Sequence, residues 1–332
     1  MSFPPVSVII PALDSADVLP AALESIAAQD YPNIVEVVVA AGDEDSAGVA
    51  RQMGARVVDN PTGVTATGLN LAISVTTGEI IVRCDAQSEL PPGYVSRAVR
   101  TMERTGADNV GGMQVPVGGS PRQRAIAAAM ASPLGAGNAR YRLGGEEGPT
   151  DTVYLGVFRK QTLLELGGFD ESFLRTQDYE LNHRIRKAGG VVWFDSGLEV
   201  RYQPRRTLRA LARQYFQYGR AKRQFAAKHQ GGLQPRQWAA PLLVVGLTLS
   251  LIGTLIEPRL LVLPALYAGL LVVGGILAIP RAGAAAVLVP AALAIMHLSW
   301  GWGFLSEALV PRQNLSTRPD EARADLRHPG ES

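Results

Sequence analysis

Four aspartates fall where an alternating α/β chain would concentrate its chemistry. Asp14 follows the β-branched run Val6-Ser-Val-Ile-Ile10, which Pro11 closes. Asp43 and Asp45 follow Val35-Glu-Val-Val-Val39, and Asp85 follows Glu79-Ile-Ile-Val-Arg83. Carboxylates gathered at one sheet edge repel one another unless a cation or a donor-rich ligand joins them. Asp85-Ala86-Gln87 offers a pair of hard oxygens suited to Mg²⁺ or Mn²⁺, ions that also hold phosphate oxygens. An aspartate that merely caps a turn fits the same spacing. Other chemistries lose support: the chain has neither a Walker A sequence nor a strand-linked Gly-x-Gly-x-x-Gly, which argues against a P-loop hydrolase and a dinucleotide dehydrogenase. Cys84 is the sole cysteine, so an intramolecular disulfide and a cysteine metal cluster are both excluded.

The elements that must carry these residues alternate over the first 200 positions. After the first strand, Asp14 or Ser15 can cap a helix whose apolar face is Val18, Leu19, Ala22, Leu23 and Ile26. Pro32 and Asn33 end it. The second strand runs into an acidic loop, Gly42-Asp-Glu-Asp45, before a helical turn over Gly48–Met53 and a third strand over Ala55–Val58. A helix over Thr65–Val75, stopped by Gly78, leads into the fourth strand. Helices between buried strands imply right-handed crossovers and a parallel sheet, with ligands outside the carboxyl ends of its strands. Met1–Pro5 runs directly into the first strand, so no signal peptide is expected.

Composition divides the 332 residues into three electrostatic regions. Hydrophobic residues are 47% and charged ones 19%, too apolar for a disordered chain. Residues 1–198 carry a net charge of −7 and residues 199–238 a net +9, while 239–332 are neutral. The last third holds three runs free of Asp, Glu, Lys and Arg: Ala239–Ile256, Leu260–Ile279 and Gly283–Leu305. Each is long enough to cross the roughly 30 Å hydrocarbon core of a bilayer. Charged joints, Glu257-Pro258-Arg259 and Pro280-Arg281-Ala282, separate them, and Trp238, Trp300 and Trp302 sit near their ends as an aromatic belt would. The basic block from Arg205 to Arg236 precedes the first span. By the positive-inside rule it stays cytoplasmic, as does everything before it, and it suits anionic lipid headgroups better than nucleic acid. Expected organisation is therefore a catalytic region over 1–200, basic interfacial helices over 201–238, two to three transmembrane helices over 239–305 and a polar tail over 306–332. Pro264 and Pro290 leave a re-entrant segment, and hence the side of the tail, open.

In this setting several short motifs resemble family 2 glycosyltransferases. They are Val6-Ser-Val-Ile-Ile-Pro11 with Leu19-Pro…Leu23-Glu-Ser-Ile-Ala-Ala-Gln-Asp-Tyr-Pro32, Gly68-Leu-Asn-Leu-Ala72, Gly78-Glu-Ile-Ile-Val-Arg-Cys-Asp85, Asp151-Thr-Val-Tyr-Leu-Gly156, Gly167-Gly-Phe-Asp-Glu171 and Gln177-Asp-Tyr-Glu-Leu-Asn-His-Arg184. Each is weak singly; seven in register over about residues 4–225 are not. The similarity is strongest to glucosyltransferases of the succinoglycan-biosynthesis type, whose members end in membrane helices.

The resemblance implies a GT-A fold: a mixed α/β sheet with flanking helices, followed here by the transmembrane region. It implies that Asp14 and the Asp43–Asp45 loop contact the uracil and ribose of a UDP-sugar, with Pro11, Asn70, Arg83 and Ala86 also at the nucleotide sugar. Asp85 becomes the first carboxylate of the family's Asp-x-Asp metal motif, with Gln87 in the third position where many relatives carry Asp. Metal held mainly by Asp85, diphosphate and water is the consequence. Asp178 matches the catalytic base, preceded by Gln177 where relatives have Glu. The same residue could cap the helix Asp178–Lys187. His183 lies nearby without a serine or cysteine nucleophile, which points to a structural role. Gln214-Tyr-Phe-Gln-Tyr218-Gly219-Arg220 resembles the Gln-x-x-Arg-Trp motif of processive members, placing Gln214, Tyr218 and Arg220 at acceptor and diphosphate; Gln217 and Tyr218 in place of Arg and Trp favour single-sugar addition. The same stretch also reads as an amphipathic interfacial helix. Expected activity is inverting transfer of a hexose from a UDP-sugar to a lipid-linked polyprenyl saccharide at the cytoplasmic face of the cell membrane, with a divalent cation and, as potential partners, polysaccharide-assembly proteins. A polyprenyl-phosphate glycosyl synthase, a catalytically silent sugar-nucleotide-binding subunit and a small transporter are the alternatives.

Overall fold

The computed structural model describes residues 3–229 and 233–309. Among them the chain forms two compact units, one from residues 3–115 and 144–202, the other from 116–143 and 203–309. The segment 116–143 thus leaves the amino-terminal region within which the sequence places it and joins the carboxyl-terminal helices.

The first unit is built on eight strands: β1 (Val6–Ala12), β2 (Ile34–Ala41), β3 (Arg56–Asp59), β4 (Ile80–Arg83), β5 (Asn109–Pro116), β6 (Gly148–Pro149), β7 (Tyr154–Arg159) and β8 (Val192–Tyr202). Their order is β3-β2-β1-β4-β7-β5-β8-β6. β1 pairs in parallel with β2 and β4, and β2 with β3, as the alternating pattern requires. β7 runs antiparallel to both β4 and β5, so the sheet is mixed. The strand runs are continuously apolar because both faces are covered. Val6, Val8 and Ile10 pack with Leu19, Leu23, Tyr94 and Val95 on one face. Ile9 and Val38 pack with Leu69, Phe158, Leu181 and Ile185 on the other.

Helices over Thr65–Val75 and Gln177–Lys187 fall where the sequence puts them. The caps do not. The first helix, Leu19–Ala27, has Val18 at its N-cap and no side-chain cap; Asp14 and Ser15 lie ahead of it, Asp14 in the left-handed region (φ 48°). Asp43 to Asp45 are not a free loop either. Asp43 caps a helix over Glu44–Gln52, with Glu44 and Asp45 in its first turn, where carboxylates favour the helix dipole. Thr176 (φ 62°), not Asp178, occupies the N-cap of Gln177–Lys187.

The second unit is helical. Three of its helical stretches are long and apolar enough to cross a membrane: Pro235–Gly253, Pro258–Leu277 and Ile279–Ala308. Leu242, Leu249, Leu266, Leu277 and Val287 are among their side chains left exposed, as a lipid-facing surface would be. The third stretch is 30 residues long, with Gly283 and a short 3-10 segment ahead of the regular helix Val289–Ala308. That helix packs along the basic helix Leu208–Lys228 at backbone distance. A Cβ on Gly219 would run into the Trp300 carbonyl, and one on Gly303 into the Phe216 carbonyl. Small residues permit this approach. His297, within the third stretch, hydrogen-bonds Tyr267 Oη through Nδ1 (3.0 Å) and the Leu134 carbonyl through Nε2 (2.8 Å). The tail from residue 310 onward, and with it the question of its side, lies outside the described residues.

Candidate active site

The register of the parallel strands sets the site. Ile9 lies opposite Arg83 and Ala12 opposite Ala41, so the chain leaves β1, β2 and β4 at the same sheet edge, with Asp14, Asp43 and Asp85 beyond it. Asp14 is exposed there. Asp43 turns inward: its Oδ1 accepts from Ser46 N (2.8 Å), and its Oδ2 from Asp14 N (2.8 Å) and Ser46 Oγ (2.9 Å). Asp43 therefore shapes the loop that carries Asp14, while Asp45 is exposed on the helix that follows.

Arg83, the last residue of β4, is only 4% exposed and binds two carboxylates. Its Nε and Nη2 each lie 2.9 Å from Asp85 Oδ1, and its Nη1 donates to Asp178 Oδ1. Asp85 and Asp178, 93 positions apart in sequence, thus converge on one guanidinium. The Oδ2 atoms of both take no protein partner among the described residues. Burial works against the charge on Arg83, and the carboxylates of Asp178 and Asp85 more than offset it. For Asp178 the balance runs the other way. Desolvation pushes its pKa above the ordinary carboxylate value, with Asp85 adding to the rise and Arg83 opposing it. Cys84 is buried, and desolvation raises its thiol far above the range in which it could act as a nucleophile.

A second tier fixes the carboxylates in place. The guanidinium of Arg83 lies 5.9 Å from the Phe169 ring centroid. Phe169 is pinned by Asn70, whose Oδ1 accepts from Phe169 N and whose Nδ2 donates to the Phe169 carbonyl, both at 2.8 Å. Gly168 is in the left-handed region (φ 74°), and a Cβ there would strike the Asn70 amide. Asn70, which the sequence reading places at the nucleotide sugar, has its amide engaged with this loop, through Phe169 and Glu171. Arg184 closes the loop from the other side, donating to the Leu166 and Gly168 carbonyls (both 2.7 Å) while paired with buried Glu180. Asn182 donates to Thr152 Oγ1 (3.0 Å) and accepts from Asn109 Nδ2 (2.6 Å), which anchors the helix bearing Asp178. Phe169, Arg184 and Asn182 go unassigned in the sequence reading, although all three lie inside its motifs.

The donor set at Asp85 can be tested against a divalent cation. Ala86 is buried, Gln87 is exposed, and the Ser88 N–H donates to the Asp85 carbonyl (2.9 Å), so 85–88 is a tight turn. No cluster of three or more His, Cys, Asp or Glu side chains suited to a metal exists among the described residues. An all-protein cage is thus missing there, but Asp85 Oδ2 with the Gln87 amide fits Mg²⁺ or Mn²⁺ that takes its remaining oxygens from diphosphate and water.

Gln177 is buried beside Asp178. Gln214, Tyr218 and Arg220 belong to the other unit. Gln214 Nε2 donates to Tyr218 Oη (3.1 Å). Arg220 Nε is 2.6 Å from Glu307 Oε2, and Glu307 also accepts from Gln224 (2.9 Å). Arg220, expected at acceptor or diphosphate, is here a tie between the basic helix and the third apolar stretch.

The mixed sheet, with Asp85 after its fourth strand and Asp178 brought to it from a helix, has the GT-A fold of sugar-nucleotide transferases. The comparisons narrow this. The profile described as "Glycosyltransferase like family 2" matches residues 4–220, and the chain belongs to that family. It is 28% identical over 319 residues to the succinoglycan biosynthesis protein ExoA of Rhizobium meliloti, covering 93% of this chain and 96% of the relative. It is 29% identical over 204 residues to an uncharacterised glycosyltransferase of Mycobacterium tuberculosis, covering 60% of this chain and 86% of that one. Among solved structures, the mannosyltransferase PcManGT of Pyrobaculum calidifontis, in complex with GDP-Man and Mn²⁺, superposes with a TM-score of 0.57 at 21% identity, covering 90% of this chain and 87% of that one.

Proposed function

We propose that this chain is a membrane-anchored, inverting glycosyltransferase that moves a hexose from a UDP-sugar to a lipid-linked acceptor during exopolysaccharide or envelope assembly. One observation carries the reading: a buried arginine holds Asp85 and Asp178 together at the carboxyl edge of the parallel strands. Asp14, exposed at the end of β1, contacts the nucleoside. Asp85, with Gln87, holds a divalent cation, which when bound neutralises the charge of the leaving diphosphate. Asp178 is the general base. It accepts the acceptor hydroxyl proton as that oxygen bonds to the anomeric carbon; the bond from that carbon to the diphosphate oxygen breaks, and configuration inverts. Desolvation raises the pKa of Asp178 above that of an ordinary carboxylate, which makes it a stronger proton acceptor once ionised. Arg83 aims the carboxylate and opposes the rise in its pKa that burial and Asp85 cause. The basic helix and apolar stretches hold the enzyme at the inner leaflet, with the site on the cytoplasmic side. Succinoglycan biosynthesis in the ExoA relative supports the polysaccharide assignment.

The test is transfer by the full-length protein in detergent, with membrane lipid extract, Mn²⁺ or Mg²⁺, and labelled UDP-glucose, UDP-galactose or GDP-mannose in separate reactions. Labelled lipid-linked product from a UDP-sugar is expected. Asp178→Asn should keep UDP affinity and lose at least about 10²-fold in turnover. Full turnover in that variant removes the base assignment, and product from GDP-mannose alone removes the UDP assignment.

A further inference from the structure

The half-buried arginines Arg184 and Arg220 each meet a carboxylate, Glu180 and Glu307. Arg142, in the short helix Arg140–Leu143 of the second unit, meets tyrosines. Its Nε donates to Tyr141 Oη at 3.2 Å and its Nη1 to Tyr215 Oη at 3.5 Å, with its guanidinium carbon 5.4 Å from the Tyr141 ring centroid. No described carboxylate forms an ion pair with it. Tyr215 is buried and packs edge-on against Tyr218, their ring centroids 5.6 Å apart. A guanidinium partly withdrawn from water and facing only neutral hydroxyls is poorly compensated. Its remaining N–H groups form the planar fork that takes a phosphate through two parallel bonds.

The position of Arg142 points to the source of that phosphate. Its segment is docked on the apolar helices of its own unit, through His297 to the Leu134 carbonyl (2.8 Å) and Arg236 to Asn138 Oδ1 (2.8 Å). Arg142 lies four residues beyond Asn138, a reach of at most ~14 Å. An anion seated there is carried by a molecule that resides in the membrane. We propose that Arg142, walled by Tyr141, Tyr215 and Tyr218, seats the phosphate or diphosphate group of the acceptor lipid. This rests on the glycosyl-transfer reading and adds to it the headgroup that the acceptor must carry.

Calorimetric titration of the full-length protein in detergent tests it, with farnesyl diphosphate, farnesol, inorganic diphosphate and UDP as probes. Farnesyl diphosphate should bind at least ten-fold tighter than either farnesol or inorganic diphosphate. Arg142→Gln should weaken farnesyl diphosphate about 10- to 100-fold, the scale of hydrogen bonds to a charged group, and leave UDP unchanged. Arg142→Lys should fall between. Wild-type affinity for farnesyl diphosphate in Arg142→Gln overturns the proposal, as does an equal loss of UDP affinity, which would assign the arginine to the donor. Should Arg142→Gln fail to fold, Arg142→Lys and Tyr215→Phe decide: wild-type affinity in both overturns the seat. Sugar transfer by the wild type is measured alongside. A wild type that binds farnesyl diphosphate but transfers no sugar sinks the transferase reading, whereas normal transfer with undiminished binding in Arg142→Gln sinks the seat alone.

Discussion

Arg83→Met should convert the candidate active site from a balanced cluster into two facing carboxylates. Removing one partner from a fully buried ion pair costs about 3–5 kcal/mol. The side chains of Asp85 and Asp178 retain 24% and 33% exposure, so water screens the stranded charges and the figure falls to roughly 2–3 kcal/mol. At about 2–4 °C per kcal/mol for a unit of this size, melting should drop by roughly 4–12 °C. The loss should depend on pH. The pKa of Asp178 is already above its ordinary value, and Arg83 is what restrains it, so the substitution lifts it further. A carboxyl whose folded pKa exceeds its unfolded one favours folding fully below the unfolded value, and that contribution is lost as pH rises through the folded value. Arg83→Met should therefore be less destabilised at pH 5 than at pH 8 in urea titrations of the full-length protein. Adding Asp178→Asn in the same background should recover at least about 1 kcal/mol at pH 8, since it removes one of the stranded charges. An equal deficit at both pH values, with no recovery in the double variant, would refute the view that Arg83 holds two ionised carboxylates.

Two further outcomes follow from other contacts. Gln87→Asp should tighten Mn²⁺ by about ten-fold or more, read as the metal concentration that half-saturates UDP binding, and should make that binding more sensitive to EDTA; unchanged metal dependence would remove Gln87 from the site. Gly303→Val should force apart the helices Leu208–Lys228 and Val289–Ala308, lowering the melting temperature in detergent by several degrees, whereas Gly269→Val, at a glycine with open space around it, should not.

The sequence exposes most of the frame. Continuous β-branched runs ending in Pro11, Gly42 and Cys84 give two of the three parallel pairings, β1 with β2 and with β4, because strands covered on both faces leave no other period to read. The antiparallel insertion of β7 between β4 and β5 has no local signal: it depends on which strand edge remains open after the parallel half is built. Capping was misread for a related reason. Asp14, Ser15 and Asp178 are all residues that cap helices well, yet the backbone goes left-handed at Asp14 and Thr176, which frees these carboxylates from the capping geometry. The ties of Asn70 to the Phe169 backbone and to Glu171 span 99 and 101 positions, a distance that no local spacing reports. Segment 116–143 was assigned by sequence order, whereas its attachment is made by tertiary contacts such as that of His297 with the Leu134 carbonyl.

The charges around Arg83 also bear on why a glutamine can stand at position 87. Arg83, Asp85 and Asp178 together carry one net negative charge, which opposes entry of a nucleoside diphosphate. A second aspartate at 87 would double that opposition in the metal-free site while strengthening its hold on a cation. Glutamine keeps an oxygen donor at that position without the charge. A cation held by few protein oxygens is therefore best delivered together with the diphosphate, since each neutralises what excludes the other. Under the proposed reading, donor and metal would therefore enter as one species, beside the fixed positive charge that Arg83 places between Asp85 and Asp178.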